Sequence, residues 1–490
     1  MSTNPIISTD SYKISQNVMY DDNVNSKLVG MYASIVPRKN GEYEHIVVAG
    51  IAYLKHVLSN IKVTSEHINE AVLFYKGHFG SDVFDRTPWD IIVNKYEGNL
   101  PLKICALPEG TIVSAGTPIV TIENTDDECA HIVSHFEGIF QKIIWYMTTV
   151  ATVSLSFSTV MKNALKASTD DWESPLKFMH HDFGYRGASS EEASIMSGMA
   201  HLFVSFGSDT VSAVKWIMDN IPERDESRNV LMAGFSVPAS EHNQMMSRGE
   251  DGEFGLVKNI LNKFPTGIVS VVADTFNMER HVETITTGEF FETIIRRDGK
   301  YVIRPDSQFV GTTKLETVLK ILEIMETNMT HLITTNSKGY KCLPPQYGII
   351  YGDGLNKNDI YDILSGIISK GWAATNIAFG TGGNLVQKNI DRDTLRFAMK
   401  SSEQTYLITD DKGNINREIR NVSKKTPGKE SQEGRFEVTR INGKIQTNSL
   451  GSTGQENLLQ PIFINGNILG SDGIKDIRAR IYSDRLFLDI

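Results

Sequence analysis

The chain has 490 residues, with 49 Lys and Arg against 59 Asp and Glu, 40% hydrophobic and 22% charged residues. At roughly 150 residues per domain this makes two or three domains with ample apolar material for a large core, which excludes a disordered, collagenous or disulfide-stapled protein. The net charge of −10 argues against a general nucleic-acid binder, so any polyanionic ligand must be met by a local cluster of Arg and Lys.

In chain order, the opening MSTNPIISTDSYK has neither a basic start nor an apolar stretch, so no secretory signal is expected. A helical pattern over Ser65–Phe79 precedes a turn-punctuated, β-rich run, LPLKICALPEGTIVSAGTPIVTIENT. Cys105, Cys129 and Cys342 are too few and too scattered for a disulfide framework or a zinc site, and fit a reducing cytosol as buried small hydrophobes. Ile143–Met161 carries no charge over 19 residues, yet seven of them are Ser or Thr, which suits a buried helix or strand better than a bilayer span. We expect a soluble, cytoplasmic protein with neither membrane nor nucleic acid as partner.

From about Phe178 the rhythm changes to short apolar runs ending in a polar or glycine residue: LKFMHHDFG, AGFSVPASEH, GIVSVVADT, YVIRPDS, YGIIYGDG and NIAFGTGG. Helical spacing follows two of them, through Leu315, Val318, Leu319, Leu322 and Met325, and through Ile360, Ile363, Leu364, Ile367 and Ile368 with Asn358 placed to cap. Apolar strands alternating with amphipathic helices predict a parallel sheet covered by helices, an α/β fold. The chemically interesting residues fall at strand C-terminal ends: Asp182, His242, Asp274, Arg304, Asp306, Asp353 and Gly382. A barrel and a doubly wound sheet both build sites there, so placement leaves the two open. Beyond about Lys400 the pattern turns polar and hairpin-like, and is expected to join the N-terminal part in a second, β-rich domain.

No Walker loop, HExxH, CxxC, GxSxG or well-formed GxGxxG is present, nor the short loop of two acids followed by Thr-Thr-Gly-Gly-Thr. NIAFGTGGNLVQK sets Gly380, Gly382 and Gly383 between a strand and a helix start, where backbone amides cradle a phosphate or merely turn the chain. YGDG holds Asp353 where it reaches a ribose diol or serves as a plain turn residue. RPDS puts Arg304 and Asp306 on one side of a strand end, as an anion clamp beside a hydroxyl acceptor or as a local salt bridge. In HHDFGYRGASSEEA, Ser189 and Glu192 read as a capping box, so Phe183 and Arg186 lie at a helix entrance, an aromatic face beside a cation. His180 and His181 read as structural hydrogen-bonders, and His242 in PASEHN as the functional histidine.

These segments carry a resemblance. TDSYK (Thr9 to Lys13), HDFGYRGASSEEA, GSDT (Gly207 to Thr210), SVPASEH, SVVADT, IRPDS, GDG and FGTGGNLVQK stand in the order and spacing of the nicotinamide phosphoribosyltransferase family, over about Asn4 to Arg435. The resemblance implies a type II phosphoribosyltransferase fold: a central (β/α) barrel-like domain, residues 146–395, and a mixed α+β domain formed by residues 1–145 and 396–490. It also implies a homodimer with shared active sites. Phe183 resembles one face of the sandwich around a pyridine ring, and Tyr12 of the other subunit the second face. Asp209 matches the carboxylate that accepts the amide N–H. Arg304 matches the residue near amide and diphosphate. Asp306, Gly352 and Asp353 match the ribose contacts, and Gly382, Gly383 and Arg392 the 5′-phosphate cradle. Arg186 and His242 match diphosphate contacts, His242 also the histidine phosphorylated by ATP. Arg38, Lys400, Lys424 and Lys429 resemble the remaining basic residues around the diphosphate.

Three departures stand out. Ala398 occupies the place of a phosphate-contacting serine, Asn384 that of a third glycine, and the segment NVSKKTPGKESQEGR is shorter than the family's Lys-rich loop, where altered ATP coupling is expected. The expected reaction is nicotinamide plus 5-phosphoribosyl 1-diphosphate giving nicotinamide mononucleotide and diphosphate. Mg²⁺ is expected to be held mainly by substrate oxygens, with a carboxylate such as Asp274, and no resident metal site or protein nucleophile is expected. The rivals are a nicotinate phosphoribosyltransferase and a catalytically silent pyridine-nucleotide-binding relative. Asp209 separates the first from the favoured reading, unless it merely caps the helix near Val211. The intact Arg304, Asp306, Asp353, Arg392 and His242 disfavour the second.

Overall fold

The computed structural model describes residues 4–20, 25–38, 42–427 and 429–490. Residues 1–3 of the leader reading and Gly428 of the 421–435 loop lie outside them. The chain divides into two units, Met1–Thr152 with Ile390–Ile490, and Val153–Asn389.

The first unit is built on a seven-stranded sheet in which both ends of the chain meet. Ser26–Pro37 lies inside it, antiparallel to Phe397–Thr409 on one side and to the central strand Val120–Asn124 on the other. The order continues through Leu102–Ala106 to Gln460–Ile464. The mixed α+β unit expected from the two termini is thus the one observed. Its helix Ser65–Phe79 has the expected bounds because Thr64 caps it: the Thr64 side chain accepts the His67 N–H and the His67 ring accepts the Thr64 N–H.

The second unit is the α/β body. Six parallel strands stand in the order Gly207–Ser208, His180–Asp182, Ile377–Thr381, Tyr347–Tyr351, Asp298–Arg304, Thr266–Val272. Read around a closed ring, this order follows the chain, with the first strand His180–Asp182 beside the last, Ile377–Thr381, and the consecutive strands Gly207–Ser208 and Thr266–Val272 at the two edges; that cyclic order is the one a barrel requires. Isolated parallel bridges from Phe235 to Gly207 and from Ala239 to Ser270 join the two edge strands, so the sheet curls into a barrel with one irregular stave. The run AGFSVPASEH is that stave. Pro238 has no N–H to give, and only its carbonyl takes part in the ladder, from Ser270.

Helices cover the strands with the expected faces. Val318, Leu322 and Met325 are buried in Lys314–Met329, and Ile360, Ile363, Leu364 and Ile367 in Lys357–Ser369; Leu315, Leu319 and Ile368 are half-buried. Two caps differ from the sequence reading. Asn356, not Asn358, caps Lys357–Ser369, its side chain accepting the amides of Asn358 and Asp359. Ser190, not Ser189, caps Glu191–Leu202, accepting the Ala193 amide.

The charge-free stretch is part of the 32-residue helix Glu137–Ser168, long and apolar enough to cross a membrane, but 78% of its apolar window is buried within the protein. Its hydroxyls explain the composition. Thr148 donates to the Ala49 carbonyl at 2.9 Å, Thr152 accepts the Val47 amide at 3.0 Å, and Ser154 bonds the His201 ring at 3.0 Å. A bilayer would leave such groups without partners.

Candidate active site

The barrel strands deliver their polar residues to one mouth, at the C-terminal ends. After His180–Asp182 the buried Asp182 carboxylate accepts the Gly184 amide at 2.7 Å and the Ser208 hydroxyl at 3.2 Å, so it shapes the loop. The Phe183 amide donates to Thr381 O at 2.9 Å, which fixes the ring over the neighbouring strand. A Cβ on Gly380 would sit 1.9 Å from Phe183 Cε2, and one on Gly352 3.2 Å from it. The Cε2–Cδ2 side of the ring therefore packs close against two glycine backbones. Arg186, in the turn Tyr185–Gly187, is exposed.

Phe183 also walls a cavity of about 460 Å³ that runs along the inside of the barrel. Asp209 and Arg304 line it at the mouth, and Lys300 and Asn376 lie at the strands' opposite ends. The Asp209 carboxylate is exposed and accepts the Ser236 hydroxyl. It does not cap the following helix, whose N-cap Thr210 makes no side-chain capping bond. Arg304 donates through Nη2 to the Ser240 carbonyl at 2.6 Å, while its buried Nε has no partner among the described residues. Ser270 lines the same cavity, and its buried hydroxyl likewise has no partner among the described residues. An aromatic wall, one acceptor and two unsatisfied donors in an apolar cavity suit a small planar ring bearing one polar substituent.

Beside this cavity sits a histidine between carboxylates. His242 Nε2 is 3.2 Å from Asp274 Oδ1 and its Nδ1 3.8 Å from Asp306 Oδ2. The second oxygen of Asp274 accepts the Ser307 hydroxyl at 2.5 Å. With both oxygens engaged and the side chain only 8% exposed, Asp274 orients the imidazole; Asp306 is the more open carboxylate. Burial raises the Asp353 carboxyl above its ordinary range, and Asp306, Asp274 and Asp359 add to this while Lys314 opposes it. Gly352 and Asp353 follow Tyr347–Tyr351, and Gly382 and Gly383 follow Ile377–Thr381, on adjacent parallel strands. Among the described residues no group of three His, Cys, Asp or Glu is placed to hold a metal ion.

The remaining candidates belong to the first unit. Arg38, Lys400 and Lys429 line a pocket of about 250 Å³ with Ser34 and Ala398. Lys424 lines a neighbouring one with Lys400 and Lys13. Burial, with Lys13, Arg38 and Lys424 as like charges, lowers the Lys400 ammonium from its ordinary value against the opposing pull of Glu137. Tyr12, 53% exposed, and Arg392, paired with Asp393 at 3.2 Å, line neither pocket.

Three contributors escaped the sequence reading. Ser270 is a lone hydroxyl inside the apolar run IVSVVA, which is its only signal. Ser236 lies in the irregular stave, and Lys314 acts through its charge on Asp353 from a helix start.

Residues 178–455 match the model of the nicotinate phosphoribosyltransferase (NAPRTase) family, and residues 4–104 that of the nicotinamide phosphoribosyltransferase N-terminal domain. A nicotinamide phosphoribosyltransferase of Xanthomonas campestris is 31% identical, with 99% of each chain covered. One of Mycoplasma pneumoniae is 26% identical, over 88% of this chain and 95% of its own. In fold, the chain resembles a nicotinate-nucleotide pyrophosphorylase from Pyrococcus furiosus, with TM-score 0.60, 15% identity, and 99% of this chain and 96% of that one covered. Human nicotinic acid phosphoribosyltransferase gives TM-score 0.53 at 12% identity, with 97% and 93% covered.

Proposed function

The chain belongs to the nicotinate phosphoribosyltransferase family, and from that premise we propose that it transfers the phosphoribosyl group of 5-phosphoribosyl 1-diphosphate to nicotinamide, giving nicotinamide mononucleotide and diphosphate. The pyridine nitrogen forms a bond to the anomeric carbon as the bond from that carbon to the diphosphate oxygen breaks with its electron pair. The transition state is a ribosyl oxocarbenium ion, so the protein's work is to orient two reactants and neutralise the leaving anion. Phe183 holds the ring flat. Asp209 takes the amide N–H, and the open donors of Ser270 and Arg304 suit the amide oxygen. Asp306 and Asp353 take ribose hydroxyls, Gly382 and Gly383 the 5′-phosphate, and Arg186, Arg304 and His242 the diphosphate.

Arg38, Arg392, Lys400, Lys424 and Lys429 are kept as cations for phosphate groups. Mg²⁺ would be held mainly by the diphosphate oxygens and would neutralise their charge; both oxygens of the buried Asp274 are engaged, so the more open Asp306 is the carboxylate that would face it. ATP is kept as a partner through phosphorylation of His242, a P–N bond forming as the γ-phosphate leaves ADP. Asp274 holds the imidazole for that role. The site is completed in a cytoplasmic homodimer by Tyr12 of the second copy.

The observation that carries the choice of nicotinamide over nicotinate is Asp209, a carboxylate on the wall of the ring cavity. Facing a substrate carboxylate at about 4 Å it repels by on the order of 4 kcal/mol at an effective dielectric near 20, and by less where water reaches it. We therefore expect kcat/KM to favour nicotinamide by at least tenfold, and Asp209→Asn and Asp209→Ser to narrow the gap. Equal use of both substrates by the unaltered protein, or an unchanged gap in both variants, would overturn the assignment.

A further inference from the structure

The strands Tyr347–Tyr351 and Ile377–Thr381 run side by side, with Tyr351 opposite Phe379, and then their chains part. One turns through Gly352, Asp353 and Gly354 into the helix capped by Asn356. The other turns through Gly382 into Gly383–Val386. Asn384 spans the gap: its side-chain amide donates to the carbonyls of Gly354 at 3.1 Å and Leu355 at 2.9 Å. Gly354 needs that support. It sits at φ +55 and a Cβ there would meet nothing within 4 Å, so polar contacts and not packing define its conformation. The loop also carries a disfavoured charge, since burial first and then Asp306, Asp274 and Asp359 raise the Asp353 carboxyl. Lys314 relieves part of this, but its ammonium is divided between Gly354 O at 3.1 Å and Asp359 at 2.9 Å.

We propose that Asn384, at the place where the family usually has a third glycine, is a positioning residue that ties the Asp353 loop to the glycine cradle. The hydroxyls and the 5′-phosphate of one sugar are then read at a fixed spacing. The inference rests on the reading above, in which Asp353 contacts the ribose and Gly382–Gly383 the phosphate. A donor tie between two binding loops preorganises them, and its loss appears as weaker binding of the one ligand that spans both. Neither Asn384 nor Asp353 lines the ring cavity.

The test is a steady-state cycle in the intact protein with Asn384→Ala, Asp353→Ala and the double variant, each shown by thermal melting to be folded. Asn384→Ala should raise KM for phosphoribosyl diphosphate about tenfold, with kcat and KM for nicotinamide changed less than twofold. Asn384→Asp, which keeps the shape but sets an acceptor against two carbonyls, should be worse. In the Asp353→Ala background the Asn384→Ala effect should vanish, because Asn384 acts through that loop. If Asp353→Ala raises KM and Asn384→Ala does not, or if the two effects multiply in full, the positioning role is wrong while the ribose reading stands. If Asp353→Ala leaves KM unchanged, the ribose reading falls and this inference with it.

Discussion

Gly380 is the closest approach in the barrel mouth: its Cα hydrogen occupies space that a methyl group would contest with Phe183 Cε2 at 1.9 Å. The clash is with a ring held through its own backbone by Thr381, so the ring has to tilt or the strand has to shift. Gly380→Ala should therefore raise KM for nicotinamide by more than tenfold, and more than it raises KM for phosphoribosyl diphosphate. Gly383→Ala is the control, because a Cβ there meets nothing within 4 Å. Equal effects of the two substitutions on nicotinamide binding would show that the ring seat is not what Gly380 protects. The same scale shows where a sequence stops speaking. Arg304 was legible from its place at a strand end and Phe183 from its place at a helix entrance, whereas Asp209 was legible only through the family resemblance. Ser270 was not, because one hydroxyl in an apolar strand has no spacing to announce it, and what marks it is a buried oxygen without a partner among the described residues. Asn384 was legible as a departure, but its two carbonyl partners are 29 and 30 residues away in sequence.

At the scale of elements, periodicity foretold the helix faces and the parallel sheet, while caps and the irregular stave depended on contacts that local sequence does not carry. Ser189 and Ser190 are chemically equal candidates, and the one that is extended, at φ −159 and ψ 165, became the cap. The short helix Tyr12–Gln16 is an element that propensity alone would not sustain, since five residues are far below the length at which an isolated helix persists in water. It is held from outside: Lys13 pairs with Glu137, and Thr9 donates to the His135 carbonyl at 2.8 Å. Tyr12 is left 53% exposed on an anchored turn, the presentation expected of a residue offered to a second copy. Tyr12→Ala should melt like the unaltered protein yet lose most activity. Mixing it with inactive Asp306→Ala subunits should restore part of that activity, because one hybrid site then carries neither lesion. No recovery after verified subunit exchange would count against a shared site.

At the scale of the whole molecule, each unit keeps histidines neutral by burying them. In the first unit burial lowers His131 to about 4 and His135 to about 3, from an ordinary value of 6.5. In the second, burial lowers His180 and His201, which also face one another with ring centroids 4.8 Å apart. The sign follows from which state takes the proton. Below about 6.5 the unfolded chain protonates these rings and the native chain does not, so native stability is full above that pH and is lost as pH falls toward 4. A pKa difference of one unit is worth about 1.4 kcal/mol, so His131 alone contributes on the order of 3 kcal/mol across the window. Glu109 works the other way. Burial pushes its carboxyl up to about 7 against the amides of Ala52, Gly50 and Ile51, so between about 4.5 and 7 the native state holds a proton that the unfolded chain gives up. Two histidines against one glutamate leave the first unit with a net loss on acidification, and the second unit has no such opponent among its shifted carboxyls except the half-buried Asp353. Denaturant midpoints measured at pH 7.5, 6.5, 5.5 and 4.5 should therefore fall steadily below 6.5. Glu109→Gln, which removes the opposing proton, should steepen the fall, and His135→Gln should flatten it. A midpoint that stays level from pH 7.5 to 5, or slopes unchanged in both variants, would mean that other groups govern the acid limb.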